Sequence, residues 1–260
     1  MSTEPGEHMF AEERKQKIID YVNEHQKAKV PELCQEFNVS SATIRNDLRD
    51  LEHSGALMRT HGGAMRNMKT GYESVMAERS TINLEGKKSI AARAIECIEN
   101  NDTIILDVGT TTLELARLIH WRRNITVITN DLKIALVLED VTDCTIVMLG
   151  GIIRKQYHST IGPTPIEFLE DFVVDKAFMG TNSFSLEKGA TTPDLMQAQV
   201  KKKMIQIAGR VYLLCEGEKL GRSSFAQFAE VEEIDVIITD SISDETRSQY
   251  EENGFDVITG

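Results

Sequence analysis

Residues 30–64 read VPELCQEFNVSSATIRNDLRDLEHSGALMRTHGGA. They spell two short helices, a tight turn and a hairpin tipped by Gly62-Gly63, the anatomy of a winged helix-turn-helix. Leu33, Phe37 and Val39 supply apolar residues to the first helix and the turn. Ser40 predicts an N-cap, because its hydroxyl can accept from the free N–H groups that open the next helix. In that helix Ile44, Leu48 and Leu51 fall at i, i+4 and i+7, so one stripe faces a small core. Stepping ~100° per residue puts Ala42, Arg45, Asn46, Arg49 and His53 on the opposite, solvent face. A capped helix with an outward arginine and amide face suits the DNA major groove, where Arg forks onto guanine and Asn onto adenine. Ser41 and Thr43, at its start, join the candidate contacts. Arg59, His61, Arg66 and Lys69, in and after the hairpin, are placed to touch phosphates or the minor groove.

The stretch VSSATIRNDLRDLEHSGALMRTHGGA (39–64) resembles the amino-terminal signature of the DeoR family of bacterial sugar-metabolism repressors. The marks are TIR…DL in the recognition helix, the LE…G turn and the R-x-HGGA wing. That family usually carries a second arginine directly after TIR, and here Asn46 stands there. The resemblance runs on through ILDVGTTTLELA, VITN, MLGG, AFMGTNS and VIITD, from about Glu12 to near the end.

The chain's 260 residues suffice for more than one average domain and a sizeable core. A net charge of −12 at first argues against a nucleic-acid partner. Its distribution reverses that. Residues 71–260 carry 19 basic and 30 acidic groups, whereas 38–70 carry 5 basic and 3 acidic. Phosphate attraction acts over a Debye length of ~8–10 Å, so the local sign governs. Cys34, Cys97, Cys144 and Cys215 form no CxxC or Cys/His cluster, and the six histidines show no metal-ligand spacing. No metal or cofactor is expected. Cys144 and Cys215, in apolar runs, are expected to be core thiols. With no signal peptide and no run of ~18 apolar residues, a cytoplasmic protein away from membranes is expected. MSTEPGEH looks like a disordered leader.

Domain expectations are a winged helix over 1–66, a connector over 67–80 (NMKTGYESVMAERS), and an α/β sensor over 81–260. In the last of these, strand-like runs at 103–108, 125–129, 145–149, 176–179, 211–215 and 236–239 alternate with helical stretches at 87–98, 113–120 and 196–208. That alternation predicts a mainly parallel, Rossmann-like sheet covered by helices. Polar and glycine residues gather where the strands stop, the edge at which open α/β sheets bind ligands. The sharpest case is Asp107-Val108-Gly109-Thr110-Thr111-Thr112, where a strand ends in an acid, a glycine permits close approach and three threonines open a helix. Such a turn can cradle phosphate, or the threonines can simply cap the helix.

The family resemblance implies a sensor domain like the ribose-5-phosphate isomerase and CoA-transferase folds, with a phosphorylated sugar or related metabolite as effector. It also implies that Gly109, Thr110, Thr111 and Thr112 hold phosphate, while Asn130, Gly151 and the Gly180–Asn182 turn line the pocket and Lys219 adds positive charge. At 215–219 relatives commonly show Asp followed by Ser-Lys, and this chain has Cys-Glu-Gly-Glu-Lys. Arg154 and Lys203 are alternative cations. The resulting expectation is a DNA-binding repressor of a carbohydrate-metabolism operon, at least dimeric on a two-fold operator. The alternative is a sugar-phosphate isomerase or CoA-transferase-like enzyme with a DNA-binding appendage. Asp107, Glu216 and Glu218 offer carboxylates for it, but none sits in a catalytic motif.

Overall fold

The computed structural model describes residues 10–53, 56–66, 70–141 and 143–260, with the side chains of all but residues 12, 23, 24, 53, 66 and 141 among them. The leader and Lys69 therefore lie outside the described residues, as do the side chains of His53 and Arg66. The chain divides into two compact units between Ser74 and Val75, inside the stretch read as a connector. Within that stretch a short helix, Met76–Arg79, belongs to the second unit and buries Met76.

The first unit runs α1 (Ala11–His25), β1 (Lys27–Lys29), α2 (Val30–Phe37), α3 (Ser41–His53), β2 (Leu57–Thr60) and β3 (Gly63–Arg66). The strands form an antiparallel sheet in the order β1-β3-β2. Ile18 and Val22 of α1, Leu33 of α2, and Ile44 and Leu48 of α3 meet in the core, each almost wholly buried. Asn38 closes α2 in the left-handed conformation, which an Asn tolerates better than most residues. The hairpin turns one residue earlier than its glycine pair suggests. Thr60 pairs with Gly63, so His61 and Gly62 make the turn.

The second unit follows with α4 (Met76–Arg79), α5 (Leu84–Ala94), β4 (Thr103–Leu106), α6 (Thr110–Ala116), β5 (Thr126–Thr129), α7 (Leu132–Val141) and β6 (Thr145–Met148). Then come β7 (Ile152–Arg154), β8 (Ser159–Ile161), α8 (Pro163–Leu169), β9 (Val174–Gly180), β10 (Ser183–Ser185) and β11 (Gly189–Thr192). The chain ends with α9 (Leu195–Gln206), β12 (Ala208–Leu214), β13 (Ala226–Ala229), β14 (Val236–Thr239), α10 (Asp244–Glu252) and β15 (Asp256–Thr259). Seven strands form one all-parallel sheet in the order β15-β14-β12-β9-β4-β5-β6. Its two faces carry separate apolar clusters, one around Ile105, Met179 and Leu213, the other around Ile104, Phe178 and Leu214. Strands covered on both faces read as continuous apolar runs, which is why the central ones were legible.

The parallel Rossmann-like sheet is as expected, and the differences are local. β15 was not anticipated: it is a short strand at the sheet edge, with Asp256 exposed and the other three side chains half-buried. The antiparallel sheet β10-β11-β13 and the hairpin β7-β8 are also additions. The stretch 87–98 begins earlier, at Leu84, and tightens into a 3₁₀ turn at Ile95–Cys97. Likewise 113–120 starts at Thr110, so the three threonines form the first turn of α6 rather than its approach. Cys215 is a core thiol, pushed up to about 12 by burial, but Cys144 is only half-buried.

Candidate functional site

Two regions have the chemistry of sites. In the first unit, the Ser40 hydroxyl accepts the Thr43 N–H at 3.1 Å and caps α3. With Ile44, Leu48 and Leu51 inward, Ser41, Ala42, Arg45, Asn46 and Arg49 are exposed and Thr43 is half-buried. Arg49 donates to the Asn46 side-chain oxygen at 3.4 Å, so these two present a joint polar surface. Exposed Arg59 stands 3.8 Å from Glu52, and Arg45, Arg59 and His61 line one groove beside the hairpin. Arg66 ends β3, and its side chain is outside the described residues.

Sequence reasoning missed how this helix is held. Asp47, only 4% exposed on the inner face of α3, receives a two-pronged bond from Arg14 of α1, at 2.6 and 3.2 Å. Fork-on-carboxylate pairing fixes orientation as well as distance. An acid one helical turn before Leu51, in an otherwise apolar stripe, was the available signal.

In the second unit the chain builds β4, β5 and β6 outward on one side, then returns to place β9 on the other side of β4. The carboxyl ends of β4 and β9 thus form the topological switch point, where such sheets open a crevice. Asp107 stands there, fully buried. Its Oδ2 accepts the Gly180 N–H at 3.0 Å and pairs with the ammonium of Lys201 on α9. Lys201, 3% exposed, also donates to the Gly180 carbonyl at 2.9 Å and lies 4.9 Å from the centre of the Phe228 ring. Burial pushes the Asp107 carboxyl up, against the opposing pull of Lys201 and the Gly180 N–H.

The network extends to β5. Asp131 caps α7 through the N–H groups of Lys133 and Ile134 and also takes the Gly109 N–H at 3.3 Å. That amide, expected to be open to an anion, is therefore engaged. Burial lifts Asp131 to about 6. The Thr112 hydroxyl donates to the Gly109 carbonyl at 2.9 Å. Asn130 donates to the Thr160 carbonyl at 3.0 Å, and Ser159 bonds Gln197, one turn before Lys201, at 3.4 Å. Among the described residues, Asp107 Oδ1, Asn130 Oδ1 and Gln197 Nε2 are buried and have no hydrogen-bond partner. Orphaned polar atoms in a native interior call for an explanation.

Asp107, Gly109, Thr110–Thr112, Asn130 and Gly180 therefore gather at neighbouring strand ends. Asn182 is half-buried in the next turn and accepts from Thr192 at 3.0 Å. Gly151 is exposed between β6 and β7, with φ +140°, and a side chain there would press the Ile161 carbonyl at 2.7 Å.

Lys219 belongs to another cluster, at the ends of β12 and β14. It bonds Glu216 at 2.5 Å, and Glu216 also meets Lys87 at 3.4 Å and Asn83 at 3.0 Å. Burial alone would raise the Glu216 carboxyl, but Lys219 and Lys87 outweigh it and hold it at about 2. Glu218 is exposed. Of the alternative cations, Arg154 stands 3.4 Å from Asp194 and Lys203 lies 3.7 Å from Glu170. The missed cation was Lys201. Its signal lay in the period of α9, where Gln197, Ala198, Lys201, Met204 and Ile205 share the buried face. Asp131 was readable too, as an acid three residues before Ile134 at a strand-to-helix turn.

Among the described residues no group of three or more His, Cys, Asp or Glu side chains could hold a metal, and no helix is long and apolar enough to cross a membrane.

Residues 14–70 match the DeoR-like helix-turn-helix domain, and residues 82–241 match the DeoR C-terminal sensor domain. Among full-length relatives, the HTH-type transcriptional regulator GlpR of Haloferax volcanii is 38% identical over 97% of this chain and 99% of its own length. The HTH-type transcriptional repressor GlcR of Bacillus subtilis is 37% identical, with 90% of each chain covered. A putative aga operon transcriptional repressor of Escherichia coli O157:H7 is 32% identical over 88% of this chain and 86% of its own. Among solved structures, ribose 5-phosphate isomerase A from Methanocaldococcus jannaschii superposes with a TM-score of 0.40 at 16% identity, over 53% of this chain and 55% of that one.

Proposed function

Because the chain belongs to the DeoR family of DNA-binding transcriptional regulators, we propose that it represses a carbohydrate-metabolism operon and that a phosphorylated sugar, or a related metabolite, controls its grip on the operator. The proposed reading contacts are Ser41, Ala42, Thr43, Arg45, Asn46 and Arg49, with Arg59, His61 and Arg66 on the backbone or minor groove. The proposed effector contacts are Asp107, Gly109, Thr110–Thr112, Asn130, Gly151, Gly180 and Asn182. Lys201 joins these contacts in place of Lys219, because it stands at the switch point beside Asp107 and Gly180 whereas Lys219 belongs to the separate Glu216 cluster.

The observation that carries the effector reading is the buried Asp107–Lys201 pair at the switch point, beside three orphaned polar atoms. Each unmet buried group costs about 1–3 kcal/mol, and the hydroxyls of a polyol would satisfy the two acceptors. The first turn of α6 supplies positive potential for the anionic end. The effector's leverage on DNA is bounded by its differential affinity for the two protein states. One recognition helix reads few base pairs, so we further propose a dimer or higher homo-oligomer, working in the cytoplasm without catalytic turnover.

Selection from a random duplex library, followed by footprinting, identifies the operator, and a sugar-phosphate panel in a thermal-shift assay identifies the effector. The expected result is a two-fold sequence whose affinity changes with the compound that raises the melting temperature. Failure to enrich any sequence would overturn the regulator reading. Turnover of ribose 5-phosphate would favour an enzyme, and a strict monomer with half-site footprints would overturn the dimer.

A further inference from the structure

We propose that Lys27 and Lys29 of β1 form an additional contact for the DNA phosphodiester backbone, running beside the wing; this rests on the DNA-binding reading above. The strand alternates exposed Lys27, buried Ala28 and exposed Lys29, so both ammonium groups leave the same face. At a strand rise of about 3.3 Å per residue their Cα atoms are roughly 6.5–7 Å apart, and two flexible stems can reach separate phosphates.

The wing fixes where that face stands. β1 pairs with β3 in the register Lys27↔Met65, Ala28↔Ala64 and Lys29↔Gly63. The Val30 N–H donates to the Gly62 carbonyl at 2.8 Å, tying the turn of the wing to the start of α2. At Gly63 any side chain would collide with the Ala28 carbonyl, so the glycine lets the two strands close. The lysines are therefore mounted on the same rigid ribbon as the wing residues.

Six basic groups line the resulting groove: His25, Lys27, Lys29, Arg45, Arg59 and His61. The one acid among the lining residues is Glu32, whose carboxylate accepts the Lys29 backbone N–H at 2.8 Å. Among the described residues, four Lys/Arg side chains stand against Glu32 and against Glu52, which lies 3.8 Å from Arg59, a local excess of +2 in a chain whose total is −12. Among the described residues neither lysine stands in an ion pair, whereas Lys15, Lys17, Lys87, Lys88 and Lys176 all do. A lone exposed lysine is ordinarily just solvated. Two of them, lining the groove that Arg45 and Arg59 also line, extend the positive track from helix and wing onto β1. Phosphate contact by lysine is sequence-independent and releases counterions.

The test measures binding of wild type, Lys27→Ala/Lys29→Ala and Lys27→Arg/Lys29→Arg at 50–250 mM salt. The probes are a random-sequence duplex of about 30 base pairs and the duplex enriched by selection. The alanine pair should lower affinity for both duplexes by the same factor and flatten the slope of log K against log salt by about 1.8, at about 0.9 per phosphate contact. The arginine pair should restore the slope. An alanine pair with wild-type melting behaviour and an unchanged slope overturns the inference, and so does a loss confined to the selected duplex. If wild type itself binds neither duplex, the DNA reading fails instead, and the two failures remain distinct.

Discussion

Replacing Lys201 with methionine would strand a fully buried carboxylate at the heart of the second unit. Asp107 has no solvent exposure, one of its oxygens already lacks a partner, and the other is shared between Lys201 and the Gly180 N–H. Removing one member of such a pair typically costs about 3–5 kcal/mol, because the remaining charge is neither hydrated nor paired. For a unit of this size that corresponds to a fall of roughly 6–20 °C in melting temperature. The only tryptophan in the sequence, Trp121, lies in this unit, so its fluorescence follows unfolding here without signal from the DNA-binding unit. Adding Asp107→Asn should return most of the loss. The amide oxygen can still accept the Gly180 N–H, and a neutral amide leaves no stranded buried charge. The pH dependence has a definite sign. A stranded buried carboxyl has its folded-state pKa raised, so the penalty of Lys201→Met is expressed at neutral pH and relieved as the pH falls and the acid protonates. The double variant should lack that relief. Both variants should bind operator yet respond to no effector. A Lys201→Met protein within about 1 kcal/mol of wild type, or a double variant no better than the single, would refute the reasoning.

Arg45→Ala or Arg49→Ala should lower affinity for the selected operator by ~1–3 kcal/mol with little change on random DNA, while Arg59→Ala and His61→Ala should weaken both alike; equal loss on both duplexes would move Arg45 or Arg49 into the backbone class. Asp131 is lifted to about 6 by burial, so the folded state favours its protonated form and stability declines as pH rises from about 4 to 6. Asp131→Asn keeps an acceptor for the cap and should remove that decline, worth about 3 kcal/mol, from melts recorded across the window. Thr111→Val with Thr112→Val should weaken effector binding and leave operator affinity intact, as read by thermal shift and gel retardation; an unchanged effector midpoint would make the threonines a helix cap and nothing more.

The apolar pattern alone determined much of this molecule. Ile44, Leu48 and Leu51 at helical spacing, capped by Ser40, specify α3 and therefore which of its side chains face solvent, because a 3.6-residue period leaves no choice of face once the core stripe is set. The runs 103–108 and 211–215 specify buried parallel strands for a similar reason: a strand covered on both faces must be apolar throughout. Partners distant in sequence were decided only by the tertiary structure. Nothing local in Asp107 says that Lys201 will neutralise it 94 residues later, nor in Asp47 that Arg14 will clamp it. The triad Lys201-Lys202-Lys203 offers three equal cations to the eye, and only the packing of α9 on the sheet selects the first. Lys219 was implied as a pocket cation by the family resemblance alone. In the fold its neighbour in space is Glu216, buried and already claiming its charge. Periodicity is a property of consecutive residues and survives in one dimension. The pairing of buried charges depends on which strand ends the sheet order brings side by side, and that order was fixed by the return of β9 to the far side of β4.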